Sequence, residues 1–504
     1  MHSRGHVLRK FTTLPRGLMR AAGACLLFAL AANAVQAVDR RVATTGVDSG
    51  PCTTSSCFTI TYALSQALPG DTIVIGFNQT GNSAFAENVI VNKSVTLRGQ
   101  GSNPADVTFS SIVSAGGGNP APFTVRAPNV VIEDLYFAVD FADAAQAIRA
   151  ESSGSFGSDG LIVRDVRVRA ESSAAPAFSY GNRNAIWINP TAGPAFSATV
   201  QDVVIEGTPA TPAFFRAGID ARSAGLAANG NDIVSISHDV YVVQHAPGLA
   251  VSIDGNTLRG YGVQYAAPLA GAGPVLIDSN LFEPAVPPDA PALAGDFSAI
   301  RLISNPVGQT VMVSGNQFLG HERAILIENF PGVTLAANTF TPRSGSQSFQ
   351  HVVLSNKELF SNAVPPLPIA QSLALTATGN TFNAGSIAGT GMAVMLLNDN
   401  AQGEPPGGYY GSIDFDGNDF VGDLGRYFEL GGFVCASSND PPCPLDALYS
   451  AVAASMPGTP VIKFAGDVDA TLVVDVAAVM MQLLEQVVLL VHRLELDHRH
   501  VAAH

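Results

Sequence analysis

A chain of 504 residues is long enough for several ordinary domains or for one elongated repeat body. With 13% charged residues, 49 Gly and 32 Pro, it is too dense in turn formers for a mainly helical protein. Its balance is acidic, 41 Asp and Glu against 26 Lys and Arg, which argues against a nucleic-acid backbone or an anionic bilayer as partner.

At the N-terminus Arg4, Arg9, Lys10, Arg16 and Arg20 precede the apolar run AAGACLLFALAANA, and the small residues of VQA end at Ala37. A basic region, a short apolar core and a small-residue cleavage site predict a secretory signal peptide over 1–37. The run is too short for a comfortable transmembrane span. Cleavage removes 5 basic residues and no acidic one, leaving 21 against 41, or −20, with only Lys93, Lys357 and Lys463 as lysines. An exported chain meets an oxidising compartment, so the local pairs Cys52 with Cys57 and Cys435 with Cys443 are expected to form short-loop disulfides rather than stay free thiols. No His or further Cys stands at finger-like spacing, so no metal site is expected there.

Residues 38–70 form a lead segment and an N-terminal cap. Ala63, Leu64, Ala67 and Leu68 fall at helical spacing, which predicts a cap helix over 58–68, ended by Pro69-Gly70. Ile73, Val74 and Ile75 begin a strand, and ENVIVNKSVTLRGQG adds two more, divided near Asn92-Lys93. The order of Cys57, an amphipathic helix, Gly70-Asp71-Thr72-Ile73 and then VIVNKSVTLRGQG resembles the entry segment of secreted bacterial right-handed β-helix proteins of the pectate-lyase-like superfold. In particular it resembles the N-terminal module named for its Cys-Ser-Leu-Arg-Glu-Ala signature, although CFTITYAL lacks the Arg-Glu pair. The detailed resemblance covers roughly residues 48–101. It implies an all-β fold: a right-handed parallel β-helix, or solenoid, over 71–468.

Strands with alternating apolar residues continue through Asp134, Asp165 and Asp202. Then one pattern recurs six times: VSIDGNTL, VLIDSNLF, VMVSGNQF, VTLAANTF, LTATGNTF and IDFDGNDF. The Asn residues are 256, 280, 316, 338, 380 and 418, at intervals of 24, 36, 22, 42 and 38. Intervals of 22 and 24 fit one coil of three short strands; the longer ones fit the same coil plus a Pro- and Gly-rich loop. Asn tolerates the left-handed backbone of a sharp corner, and its amide can bond to the Asn one coil away. These residues are therefore expected to form a structural ladder, with the Leu or Phe two positions later pointing inward. VAAVMMQLLEQVVLLVHRLELDH predicts a C-terminal helix within 469–504. Asp475, Gln482, Glu485 and Gln486 interrupt it, which argues against a membrane span.

Chemistry has to be argued from residues rather than from the fold. The polygalacturonase-like hydrolases of this superfold carry Asn-Thr-Asp, Asp-Asp, Gly-His-Gly and Arg-Ile-Lys motifs, and none occurs in this chain. Asp254 and Asp278 each stand two residues before a ladder Asn and would lie side by side if the 24-residue interval is one coil. With Arg301 nearby they are candidates for Ca²⁺ binding or proton sharing; two solvated acids on an acidic surface is the plainer account. His238 beside Asp239 is an acid-base candidate, although strand neighbours point to opposite faces. Tyr261, Tyr265, Tyr409 and Tyr410 lie in Gly-rich text, where a ring can stack on a sugar, and Trp187 is the single tryptophan. The expectation is an exported, monomeric, non-catalytic β-helix protein that binds an extended polysaccharide or serves as cell-surface structure. The alternative is a Ca²⁺-dependent lyase or epimerase-like enzyme acting on acidic glycans.

Overall fold

The computed structural model describes residues 37–77, 84–100, 111–113, 121–171, 183–190, 193–207, 215–284, 298–303, 307–346, 349–355, 373–386, 391–397, 410–414, 417–422, 424, 426–431 and 462–463. The signal segment up to residue 36, Cys435, Cys443, Tyr409 and the C-terminal helical segment lie outside them.

Among the described residues nearly all regular structure is β, in three parallel sheets of 14, 12 and 12 strands. Apart from the first pair, Asp39–Val42 with Thr72–Ile75, neighbours within each sheet are three strands apart in the chain, so each coil gives one strand to each sheet. One coil runs Val251–Asp254 in the first sheet, Thr257–Leu258 in the second and Val263–Ala266 in the third. It then returns to Val275–Asp278 beside its start. This is the right-handed parallel β-helix; the hand is the one that parallel crossovers adopt. In the first sheet Val251 and Ile253 are buried while Ser252 and Asp254 face outward, the alternation that made these strands readable.

The corner between first and second sheets is built by two residues with separate tasks. The left-handed backbone falls on the residue before each ladder Asn: Gly230, Gly255, Ser279, Gly315, Ala337, Gly379 and Gly417 all have φ between 54° and 74°. The expectation that Asn itself takes this conformation is corrected here. The Asn residues supply the amides. Asn256 Nδ2 donates to Asn280 Oδ1 (2.8 Å), Asn280 to Asn316 (2.9 Å), Asn316 to Asn338 (3.0 Å), Asn338 to Asn380 (2.9 Å) and Asn380 to Asn418 (2.8 Å). Each Oδ1 also accepts the backbone N–H of the preceding rung. Asn231 is a further rung, donating to Asn256 Oδ1 at 2.8 Å. Below it the column turns apolar, with Leu135, Val166 and Val203 fully buried and Asp134, Asp165 and Asp202 in the left-handed position.

Two residues past each Asn the side chain enters the core. Phe282, Phe318, Phe340, Phe382 and Phe420 stack with centroids 4.7–5.3 Å apart, the spacing of the coils themselves. At the N-terminal end Asp39–Val42 pairs with Thr72–Ile75, so the first sheet begins inside the lead segment. The helix is Ile60–Gln66, with Thr59 as N-cap. Glu87 accepts the Ile60 and Thr61 N–H groups, and Lys93 Nζ donates to the carbonyls of Leu64, Ser65 and Ala67. Both ends of a seven-residue helix are thus satisfied by side chains from the next coil. Cys52 and Cys57 are disulfide-bonded beside it.

Candidate functional site

The third sheet differs from the other two. Its strands Asn184–Asn189 and Ala217–Arg222 are buried at five of six positions, on both faces of the sheet. Ile186, Ile188, Ile219, Val240, Val242, Val263, Ile300 and Leu302 face the core. The residues between them face the other way and are aligned by register: Arg149 beside Trp187, then Asp220, Tyr241, Gln264 and Arg301. Six chemically active side chains therefore form one outward row, about 4.8 Å apart from coil to coil.

This row is tied together laterally. The Arg149 guanidinium lies 4.6 Å from the Trp187 ring centroid and its Nε reaches Glu151. Asp220 is fully buried; Arg222 donates to both of its oxygens at 2.9 Å, and Asn184 Nδ2 donates to it at 2.8 Å. Arg216 and Arg222 each bring a guanidinium to 5.8 Å from the Tyr241 ring, and His238 stacks on that ring at 5.3 Å. Burial holds the His238 imidazole down to about 3, with Arg216 and Arg301 pushing the same way, so it is neutral at any ordinary pH. Burial also raises the Tyr241 hydroxyl, as does Asp220, against Arg222 and Arg216.

Ion pairing explains Asp220 and Arg222. It does not explain the Oδ1 of Asn184, the Nε1 of Trp187 or the Oγ of Ser298, which are buried with no hydrogen-bond partner among the described residues. Buried polar atoms are nearly always paired, by protein, water or ligand. A floor that holds both an unused acceptor and an unused donor, with half-exposed Tyr241, Gln264 and Arg301 around it, suits a hydroxyl-rich molecule.

The residues singled out from sequence divide among three places. Asp254 and Asp278 are register partners in the first sheet, as one coil requires. Asp278 accepts from Ser279 Oγ (2.9 Å) and from Ser314 Oγ. Ca²⁺ takes six to eight oxygen ligands, carbonyls and waters among them, and among the described residues no group of three or more His, Cys, Asp or Glu is placed to hold a metal. Arg301 is not with them. It is on the third sheet, bonded to Glu328 at 2.7 and 2.9 Å, and shares its face with His238.

Asp239 is separated from His238, as strand geometry demands. Its carboxyl is fully buried at the opposite corner, accepting from Gly260 N–H (2.7 Å), Gly262 N–H (3.1 Å) and Ser235 Oγ (2.9 Å). A Cβ at Gly260 would lie 2.4 Å from its Oδ1, so only glycine allows this approach. Burial pushes Asp239 up to about 7, against the pull of those donors. The pair is therefore not an acid-base couple. Tyr265 is a second correction: it lies on a strand, not in a loop, wholly buried and 2.9 Å from His245 Nδ1, so its ring cannot meet a sugar. Tyr261 is half-buried at the corner between Gly260 and Gly262, and Tyr410 begins the strand Tyr410–Asp414.

Asn184, Arg216, Asp220, Arg222 and Tyr241 were missed in the sequence. Buried on both faces, their strands show no alternation to betray an outward row. The signal that was present is the run of polar residues inside apolar strands, as in NAIWIN and AGIDAR.

No protein-family model matches the chain, and no curated protein does. Among solved structures it is similar to two A-modules of Azotobacter vinelandii mannuronan C-5 epimerases. That of AlgE4 is 14% identical, with TM-score 0.46, over 74% of this chain and 91% of that one. That of AlgE6 is 13% identical, with TM-score 0.43, over 72% and 88%. It is also similar to the Streptococcus pneumoniae surface protein and adhesin PfbA, 12% identical with TM-score 0.35, over 74% and 94%.

Proposed function

We propose that this is an exported polysaccharide-binding protein whose site is the outer face of the third sheet, centred on Trp187. The observation that carries the reading is the floor of that face: Asn184 Oδ1 and Trp187 Nε1 on one strand, and Ser298 Oγ four strands further along, are buried with no hydrogen-bond partner among the described residues. Sugars offer what such a floor needs, hydroxyls that donate and accept together and apolar ring faces for the aromatic groups. A row of register-aligned residues suits an extended chain lying along the coils. Export rests on the N-terminal sequence and agrees with the Cys52–Cys57 disulfide. No helix among the described residues is long and apolar enough to cross a membrane.

Calorimetry of the mature protein against a panel of neutral and uronate-containing polysaccharides tests this. Trp187→Phe keeps an aromatic ring and deletes the N–H; it should weaken binding about tenfold, the scale of one hydrogen bond at about 1.4 kcal/mol. The double change Asp254→Asn with Asp278→Asn, on the first sheet, should leave binding unaltered. The reverse pattern would move the site to the first sheet.

A catalytic reading has one observation in its favour: neutral His238 stacked on Tyr241, with Arg216 and Arg301 acting on it from the same face. Unsaturated sugar ends absorbing in the near ultraviolet would establish a lyase, and repeating the assay with Ca²⁺ and with EDTA would show whether the ion takes part.

A further inference from the structure

We propose that the third-sheet face takes acidic sugars, with Arg183 and Arg216 as their carboxylate subsite. This rests on the polysaccharide reading and adds the class of ligand.

The two arginines occupy the same position on successive coils. Arg183 precedes Asn184 and Arg216 precedes Ala217, which are register partners, and Arg216 N–H donates to Arg183 O at 2.7 Å. Two guanidinium-bearing residues therefore leave the backbone about one strand spacing apart, about 4.8 Å. Like charges so placed repel, and a protein with 41 acidic residues has ample means to neutralise them. It does so for Arg126, Arg149, Arg222 and Arg301, each paired with Glu151, Asp220 or Glu328. Neither Arg183 nor Arg216 has a carboxylate partner among the described residues. The segments leading into them, 172–182 and 208–214, contain no Asp or Glu.

What the two side chains have instead are rings. The Arg183 guanidinium is 4.9 Å from the Phe141 centroid and that of Arg216 is 5.8 Å from Tyr241. Stacking fixes a guanidinium in place while leaving its N–H edge to fork onto a carboxylate. The field of Arg216 is felt locally, since it and Arg301 both disfavour a proton on His238 beside burial. A net negative charge on the whole chain therefore coexists with a cationic strip beside Trp187. Along a polyuronate every sugar carries a carboxylate, so one chain can satisfy the strip and the hydroxyl-binding floor together.

The test is calorimetry of the mature chain against three polymers: a polyuronate, the same polymer after carboxyl reduction, and dextran sulfate. The polyuronate should bind at least tenfold more tightly than its carboxyl-reduced form, and raising the salt should erode that preference. Arg216→Gln and Arg183→Gln should each reduce the preference threefold or more, weakening the polyuronate more than the reduced polymer, and an unchanged melting curve shows that each variant is folded. Equal binding of polyuronate and reduced polymer would overturn the acidic-sugar inference and leave the polysaccharide reading standing. Dextran sulfate binding as tightly as polyuronate would overturn it in favour of charge alone. Binding of none of the three would remove both.

Discussion

Ala337 occupies a corner where Gly255, Gly315 and Gly379 stand in neighbouring coils, at φ 54°. An L-residue in the left-handed region costs about 1–2 kcal/mol, whereas glycine costs about 0.4–1 kcal/mol through the freedom it restores to the unfolded chain. The first outweighs the second, so Ala337→Gly is expected to stabilise the protein by about 0.5–1 kcal/mol, read as a higher urea midpoint.

Buried titratable groups oppose one another at the same scale. Burial lowers His321 and His351 to about 4 each, so the unfolded chain binds protons that the folded chain refuses, and stability is lost as pH falls from about 6.5 towards 4. Asp239, raised to about 7, works in the other direction: the folded state holds a proton that the unfolded state releases, so its contribution is lost as pH rises from about 4 to 7. At about 1.4 kcal/mol per tenfold change in proton affinity, His321 and His351 together amount to about 7 kcal/mol, His238 adds to the same loss, and Asp239 offsets about 4 kcal/mol. Acidification from pH 7 to 4 should therefore destabilise the protein. Asp239→Asn should steepen that loss, which melting curves across the interval will show.

At the scale of elements, the ladder carries the fold. Asn316 is fully buried; it accepts from the N–H and Nδ2 of Asn280 and donates to Ile277 O and Asn338 Oδ1. Asn316→Ala strands these groups in the interior. At about 1–3 kcal/mol for each buried polar group left unpaired, the loss should be on the order of 4 kcal/mol. An unchanged unfolding midpoint would mean that the rungs are not what holds the corners. These corners were legible because local chemistry dictates them: a glycine-like residue, an amide, and an inward Leu or Phe two places on. The first rung was not, because Asn231 is followed by Ile233 where the later rungs have Leu or Phe. The site was hidden for another reason. Trp187, Asp220 and Tyr241 come from three coils separated by 33 and 21 residues, and only the hydrogen-bonded register reveals that they are neighbours. Sequence spacing placed Asp254 beside Asp278 because their interval is a single uninterrupted coil. It grouped Arg301 with them because distance along the chain does not say which of three sheets a residue joins.

For the whole molecule the issue is where charge and hydrogen-bonding capacity are left unspent. Net charge argues against an anionic partner, yet the solenoid sorts its residues onto three faces, and a ligand meets one face rather than the average. The Asn and Phe columns are satisfied internally and offer a ligand nothing. The third sheet alone combines rings, unpaired arginines and unpartnered buried polar atoms among the described residues.

Trp187 is the only tryptophan in the chain, so its emission reports on that face and on no other. The most direct measurement is to titrate the mature protein with each polysaccharide that calorimetry shows to bind, following tryptophan fluorescence. A saturable change in emission, with the same midpoint as the heat of binding, is the predicted result. Saturable heat with unaltered emission would place the glycan elsewhere on the solenoid and contradict the assignment.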